Sequence, residues 1–116
     1  MQRTVRRDLG IEYQVLHWAS DYQPDADLPG AQDWRGHSRN QRATVRVFQH
    51  VGAPRPWLLC VHGYRMGSPL LDLSLFDPRW LHHHWGLNII QPVLPLHGER
   101  SIGRRSGDGF LDGDLG

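Results

Sequence analysis

A histidine, a glycine and a tyrosine, His62-Gly63-Tyr64, follow directly on the apolar run 57–61. A short apolar run is typical of a buried strand, and the glycine after it permits a tight turn. A main-chain N–H on such a turn can donate to an oxygen that gains negative charge during acyl transfer. The stretch therefore predicts an anion-stabilising turn at the end of a strand.

A second His-Gly pair, His97-Gly98, follows the apolar run 87–94. In open α/β sheets, ligands bind beyond the carboxyl ends of the strands. Both pairs occupy that place, so we interpret them as two loops of one site.

Four segments are predicted to be the strands that position these loops. Residues 11–18 alternate apolar and polar side chains, and residues 43–50 are rich in β-branched side chains. Residues 57–61 are continuously apolar, as in a strand covered on both faces of a parallel sheet. Residues 87–94 form the last strand.

Two short helices are predicted between the last two strands. Ser68-Pro69 and Asp77-Pro78 are both helix-start signals, and Pro78 interrupts any single long helix. The second helix should run over about residues 78–85 and close at Gly86. Helical spacing predicts four inward-facing residues, which are Leu73, Phe76, Trp80 and His84. A strand, a helix and a strand in this order form a parallel crossover.

The fold class predicted is α/β, with antiparallel first strands followed by a parallel β-α-β unit in a single domain. Within residues 1–116 the leading strands occupy 11–50, the β-α-β unit 57–97, and a polar loop 98–116. The connection 21–40 is long, and the arginines before residue 8 are predicted to be a solvated end.

Composition excludes several classes of partner. The net charge of +1, from 13 basic and 12 acidic residues, argues against nucleic acid. The only cysteine, Cys60, excludes an internal disulfide and should be an inert strand residue. No secretory signal or membrane-spanning run is visible, which favours a cytoplasmic protein. We expect its substrate to be a small molecule, and we expect no cofactor or metal. The oligomeric state is left open.

A helical stretch separates two motifs, W-L-L-C-V-H-G-Y and L-N-I-I-Q-P-V-L-P-L-H-G-E-R. Over about residues 43–107, this arrangement resembles the N-terminal part of the α/β-hydrolase superfamily. The resemblance implies a serine-type hydrolase of esterase or amidase type. It assigns one oxyanion-hole donor to the backbone N–H of Tyr64. Gly63 lets the main chain approach the substrate, and His62 shapes the loop as a packed, hydrogen-bonded residue. Candidates for the substrate pocket are Arg65, Met66, His97, Gly98 and Arg100.

The resemblance also implies a nucleophile on a G-x-S-x-G turn, followed by an acid and a histidine. The nearest stretch, around Ser106, has the right residues at the wrong spacing. We therefore expect a hydrolase-type sheet truncated before the nucleophile elbow, with the nucleophile, acid and base beyond residue 116. The 116 residues alone should be inactive, and the run 87–94 should lack its neighbouring strand.

Two other functions stay open. One is a non-catalytic interaction module on the same fold, since a fold does not fix a function. The other is a histidine-rich metal hydrolase, although His82-His83-His84 point in different directions on a helix and cannot converge on one ion.

Overall fold

The computed structural model describes residues 1–22, 25, 27–29 and 31–110. The last part of the predicted loop 98–116, residues 111–116, lies outside this range, as do four positions of the connection 21–40.

The fold is mixed α/β, with one five-stranded sheet and few helices. The strand order is β1-β2-β3-β5-β4, and only β4 and β5 run parallel. The predicted antiparallel start and parallel β-α-β unit are therefore confirmed. The strands are β1 (Gln2–Asp8), β2 (Ile11–Ala19), β3 (Arg42–Phe48), β4 (Trp57–Leu59) and β5 (Asn88–Pro92).

The alternating pattern of β2 produces one buried and one exposed face. Ile11, Tyr13, Val15 and His17 are buried, whereas the residues between them are exposed or half-buried. The buried residues face the helices because side chains on a strand alternate between the two faces of the sheet.

Strand β1 was not predicted. It pairs with β2 along its whole length, through a two-residue turn at Leu9 and Gly10. Both turn residues have positive φ (53° and 75°), as a type I′ hairpin requires. The arginines Arg3, Arg6 and Arg7 are exposed as expected, but they lie on this edge strand. Charged side chains on an edge strand discourage pairing with another chain.

The predicted positions of β4 and β5 in the sheet are wrong. β4 is at the edge, where Trp57 and Leu59 are half exposed, so the run 57–61 is not covered on both faces. β5 lies between β3 and β4 and does not lack a neighbour. β5 follows β4 in the chain but lies closer to the centre of the sheet. The apolar pattern of each strand is compatible with an edge position and with a central one.

The β4–β5 crossover holds α2 (Pro69–Leu75) and a π-helical segment (Arg79–His84), close to the two predicted helices. Leu73 is buried and Phe76 partly buried, as predicted. Trp80 is half exposed and His84 exposed, so the second half of the predicted inward stripe is wrong. The break at residues 77–78 and the π-helical winding rotate the second segment, and Leu81 and His82 face inward instead.

The connection 21–40 contains two short helical elements, α1 (Ala31–Gly36) and a 3₁₀ turn (Ser38–Gln41). Trp34 on α1 packs edge-on against Tyr22, with ring centroids 5.5 Å apart. This contact places two aromatic rings beside the carboxyl end of β2.

The hydrophobic core lies between one face of the sheet and the crossover helices. Its buried members are Ile11, Tyr13, Val15, Phe48, Cys60, Leu73 and Ile89. Burial raises the pKa of the Cys60 thiol, which disfavours the thiolate. No helix in the described part of the chain is both long enough and apolar enough to cross a membrane.

Two leucines on α2 provide a matched test of this core. Leu73 is 2% exposed and Leu75 59% exposed. We predict that Leu73→Ala lowers the free energy of unfolding by about 2–5 kcal/mol, because it leaves a cavity. Leu75→Ala should change it by less than about 0.5 kcal/mol. Urea unfolding followed by circular dichroism measures both, and equal effects would contradict this packing.

Candidate functional site

The turn after β4 consists of residues 63–66. The Met66 N–H donates to the Gly63 carbonyl at 3.1 Å, and Arg65, the third residue, has φ of +72°. Turns of type II require positive φ at that position, which glycine or asparagine usually occupies. An arginine there is strained. The turn thus holds Arg65 in a backbone conformation that arginine does not favour.

Tyr64 is the second residue of this turn. Among the described residues, no acceptor binds its backbone N–H. The residue is 43% exposed. An ideal Cβ built on Gly63 would meet only the Met66 Sδ, at 3.7 Å. The predicted donor position is therefore free of an internal acceptor.

His62 joins the loop after β4 to the end of β5. Its ring is buried, and Nε2 accepts the Leu94 N–H at 3.0 Å. The proton must then be on Nδ1, which donates to the Gly63 carbonyl at 2.9 Å. Both nitrogens are occupied, so neither is available to take a proton from a nucleophile.

Two glycines bring the loops after β4 and β5 into main-chain contact. Gly67 and Gly98 have φ of +103° and +52°. A Cβ on Gly98 would overlap the Gly67 carbonyl oxygen, and a Cβ on Gly67 would come within 3.0 Å of the Gly98 nitrogen. Any side chain at either position would push the loops apart.

Residues 103–110 pack over these two loops. The Ser106 hydroxyl donates to the Met66 carbonyl and accepts the Gly98 N–H at 2.9 Å. Gly107 fits between the rings of His97 and Tyr64, where a Cβ would lie 2.7 Å from one and 2.9 Å from the other. Ser106 is the serine whose flanking residues come nearest to the G-x-S-x-G pattern, and its hydroxyl is thus hydrogen-bonded to main-chain groups of both loops.

Arg65 is held from the same segment. Its guanidinium pairs with the Asp108 carboxylate, donates to the Ser106 carbonyl at 3.2 Å and lies 4.7 Å from the Tyr64 ring centroid. The hydrogen bond from Arg65 holds the pKa of the Asp108 carboxyl below its usual value. These contacts counteract the strain at the third turn residue.

A buried ion pair lies behind the turn. Arg46 on β3 pairs with Asp72 on α2, and both are almost completely buried. The second carboxylate oxygen of Asp72 accepts the Gly67 N–H at 2.9 Å, and the Arg46 guanidinium donates to the Gly67 carbonyl at 3.2 Å. The Arg46 Nε lies 3.4 Å from Gln91 Oε1 on β5. Both main-chain groups of Gly67 are thereby fixed.

His97 is completely buried. Its Nδ1 donates to the Pro95 carbonyl at 2.9 Å, because a carbonyl can only accept. Its Nε2 has no partner among the described residues and faces Gly107. The ring contacts Phe110 at 4.8 Å and Tyr64 at 5.8 Å between centroids. Burial lowers the pKa of this imidazole, so it is kept neutral.

Arg100 is also buried, in the 3₁₀ turn Gly98–Arg100. Its guanidinium donates to the Asn40 carbonyl at 2.7 Å and to the Val93 carbonyl at 3.2 Å. Burial lowers the pKa of Arg100. No carboxylate within the described ranges pairs with it.

Seven of the eight predicted residues lie together around residues 62–66 and 97–98, whereas the Arg100 side chain donates to the Asn40 and Val93 carbonyls instead. The sequence analysis missed Arg46, Asp72 and Gly67. A signal for Arg46 was present, because an arginine flanked by valines shares a strand face with Thr44 and Phe48. Its partner Asp72 is 26 residues away and no local pattern identifies it.

No group of three or more histidine, cysteine, aspartate or glutamate side chains in the described part of the chain could hold a metal ion. His82 is buried, with Nδ1 on the Leu87 carbonyl at 2.7 Å, whereas His83 and His84 are exposed.

No family model matches this chain. Two curated proteins of Mycobacterium tuberculosis, from strains CDC 1551 / Oshkosh and ATCC 25618 / H37Rv, are each 43% identical to it over 109 residues. The alignment covers 94% of this chain and 26% of each relative, so the chain spans about a quarter of their length. Both are named only as uncharacterized proteins, and the similarity assigns no activity.

Removing one partner of the buried pair tests its role. Asp72→Asn leaves the Arg46 charge buried without a counter-charge, and we predict a loss of about 3–5 kcal/mol in the free energy of unfolding. The double variant Arg46→Met with Asp72→Leu should recover part of that loss, because no charge stays buried, although the Gly67 N–H and carbonyl lose their partners. Asp108→Asn, at the partly exposed pair, is the control and should have a much smaller effect. Urea unfolding distinguishes these cases, and a harmless Asp72→Asn would contradict the network.

Three buried histidines predict a loss of stability in acid. Burial lowers the pKa of His17, His82 and His97 below 6.5 in the folded chain. Below about pH 6.5 the unfolded chain binds more protons than the folded one, so the free energy of unfolding should fall as the pH drops from about 7.5 to 5.

Urea unfolding at a series of pH values measures this slope. His82→Gln should make the slope shallower, whereas His84→Gln, at an exposed histidine, should leave the slope unchanged. A stability that is flat or rises on acidification over this range would contradict the prediction.

Proposed function

We propose that this chain supplies the oxyanion-binding segment of a serine-type α/β hydrolase that cleaves an ester, amide or related acyl bond. The observation that carries the proposal is the Tyr64 N–H, which has no internal acceptor within the described residues and lies on a strained turn at the carboxyl end of β4. The sheet is then the first part of a hydrolase-type sheet. The nucleophile elbow, the acid and the base belong to sequence outside residues 1–116.

The directions of β4 and β5 support the proposal. β4 and β5 are parallel, and the hydrogen bond from the Leu94 N–H to His62 joins the segments that leave their carboxyl ends. This edge is where open α/β sheets bind ligands. Within the described residues no strand pairs with the outer edge of β4, so a further strand can pair there.

The rigidity of the turn supports the proposal through energetics. A donor that is already oriented stabilises a developing charge without reorganisation, and losing one such donor typically costs about 3–4 kcal/mol of the barrier. The turn is fixed on one side by His62 and on the other by Gly67, whose main chain is bound by Arg46 and Asp72. The Tyr64 N–H is therefore held in place before a substrate arrives.

In the proposed reaction, a serine hydroxyl attacks the acyl carbon while its proton passes to a histidine. The carbonyl oxygen becomes an oxyanion, which accepts the Tyr64 N–H and, by the resemblance, the N–H that follows the nucleophile. Collapse of this intermediate expels the alcohol or amine, and water then releases the acid. His62 has both nitrogens occupied and acts only to position the loop.

The described residues contain one grouping that resembles a catalytic set. His17 Nδ1 lies 3.1 Å from Thr44 Oγ1 and 3.5 Å from Glu99 Oε1. A general base needs one ring nitrogen for the nucleophile and the other for the orienting carboxylate. Both contacts here use the same nitrogen, so this grouping does not favour a second active site.

A proline substitution tests the proposed donor. Proline is favoured at the second position of common β-turns and has no N–H, so it removes the Tyr64 donor while keeping the turn. In the full-length relative of strain H37Rv, proline at the position aligned with Tyr64 should lower kcat on 4-nitrophenyl esters about 10²–10³-fold. Alanine at that position keeps the N–H and should retain most of kcat.

Labelling of that protein with a fluorophosphonate should modify one serine, in the three-quarters of its sequence outside the region aligned with this chain. Absence of both ester turnover and labelling would overturn the proposal. Saturable ester hydrolysis by the 116 residues alone would overturn the assignment of the nucleophile to another part of the protein.

A further inference from the structure

A cavity of about 440 Å³ is lined by Phe110 but not by any residue of the turn 63–66. This volume is within the range of about 300–1,000 Å³ that small-molecule sites occupy. Its walls come from the end of β2, from α1, from the loop after β5 and from residue 110. Its main lining residues are Tyr22, Trp34, Pro95, Leu96, Arg100 and Phe110.

The lining is mostly aromatic and apolar. Tyr22 and Phe110 are 55% and 37% exposed, and Trp34 is half-buried, whereas Leu96 is buried. The Trp34 ring is fixed edge-on to Tyr22, and Phe110 is fixed against the buried His97 ring. Three aromatic rings held around one space offer apolar surface that a ligand can cover.

Among the described residues that line the cavity, Arg100 is the only one with a charged side chain. Three of its hydrogen bonds reach the main-chain carbonyls of Asn40 and Val93, and no carboxylate in the described part of the chain pairs with it. A guanidinium carries five N–H donors, so two are left. A buried positive charge without a counter-ion is unfavourable, and a carboxylate is its best planar partner.

We propose that this cavity binds a small amphipathic carboxylate. The apolar tail lies among the rings of Tyr22, Trp34 and Phe110, and the carboxylate accepts from Arg100. The proposal goes beyond the proposed function, because the site uses neither the Tyr64 N–H nor any catalytic group.

Three ligands of one chain length test the proposal on the unaltered chain by isothermal titration calorimetry. Octanoate should bind about tenfold more tightly than 1-octanol, since a hydrogen bond to a charged group contributes about 1.5–3 kcal/mol. Octylamine, which is cationic at neutral pH, should not bind measurably. Equal affinity for octanoate and 1-octanol, or no binding of octanoate at millimolar concentration, would overturn the proposal.

Two tryptophan substitutions locate the site. Trp34→Ala removes one aromatic wall and should weaken octanoate binding at least about tenfold. Trp85→Ala, at a tryptophan that is exposed and does not line the cavity, is the matched control and should leave the affinity unchanged. Loss of binding in Trp85→Ala with retention in Trp34→Ala would overturn the proposal. Arg100 is left in place because its contacts to Asn40 and Val93 support the fold.

Discussion

The ion pair between Arg46 and Asp72 is the interaction on which the candidate site depends. It connects the third strand of the sheet with the first crossover helix, and both residues are almost completely buried. Removing two charges from water costs several kcal/mol each, and the mutual attraction offsets this only if the remaining donors and acceptors are also bound. Here they are bound by the N–H and carbonyl of Gly67 and by Gln91. The contacts that offset the free-energy cost of burying this ion pair also fix the loop at Gly67.

This arrangement explains how an arginine can occupy a left-handed position in the turn at residues 63–66. The chain is held before the turn by the two hydrogen bonds of His62 and after it by Gly67, so few residues remain to adjust. The segment 103–110 adds the contacts of Ser106 and Asp108 from outside. Strain at one residue persists because the structure around it is determined by several independent contacts.

The sequence predicted the elements better than their places in the sheet. Alternating apolar and polar residues locate β2, β-branched residues locate β3 and an apolar run locates β5. The two helix-start signals locate the crossover helices. Periodicity does not tell an edge strand from a central one, so the positions of β4 and β5 were wrong. The sequence predicted site residues at 62–66, 97, 98 and 100, but not the contacts between them. The contacts that stabilise the site join residues 46, 67, 72, 98 and 106, and such distant pairs leave no local pattern.

The buried side chains at this edge of the sheet constrain what the edge can do. His62 has both nitrogens bound, His97 is enclosed, and Arg100 donates to main-chain carbonyls. His97 Nε2 is the one ring nitrogen among them without a partner in the described residues, and it is buried against Gly107. What the loop offers to a ligand is the main-chain N–H of Tyr64, with the tyrosine ring and the Arg65 guanidinium beside it. Fixed donors of this kind stabilise charge but do not transfer protons. The acyl transfer proposed for this edge therefore requires a nucleophile and a base from other elements of the protein.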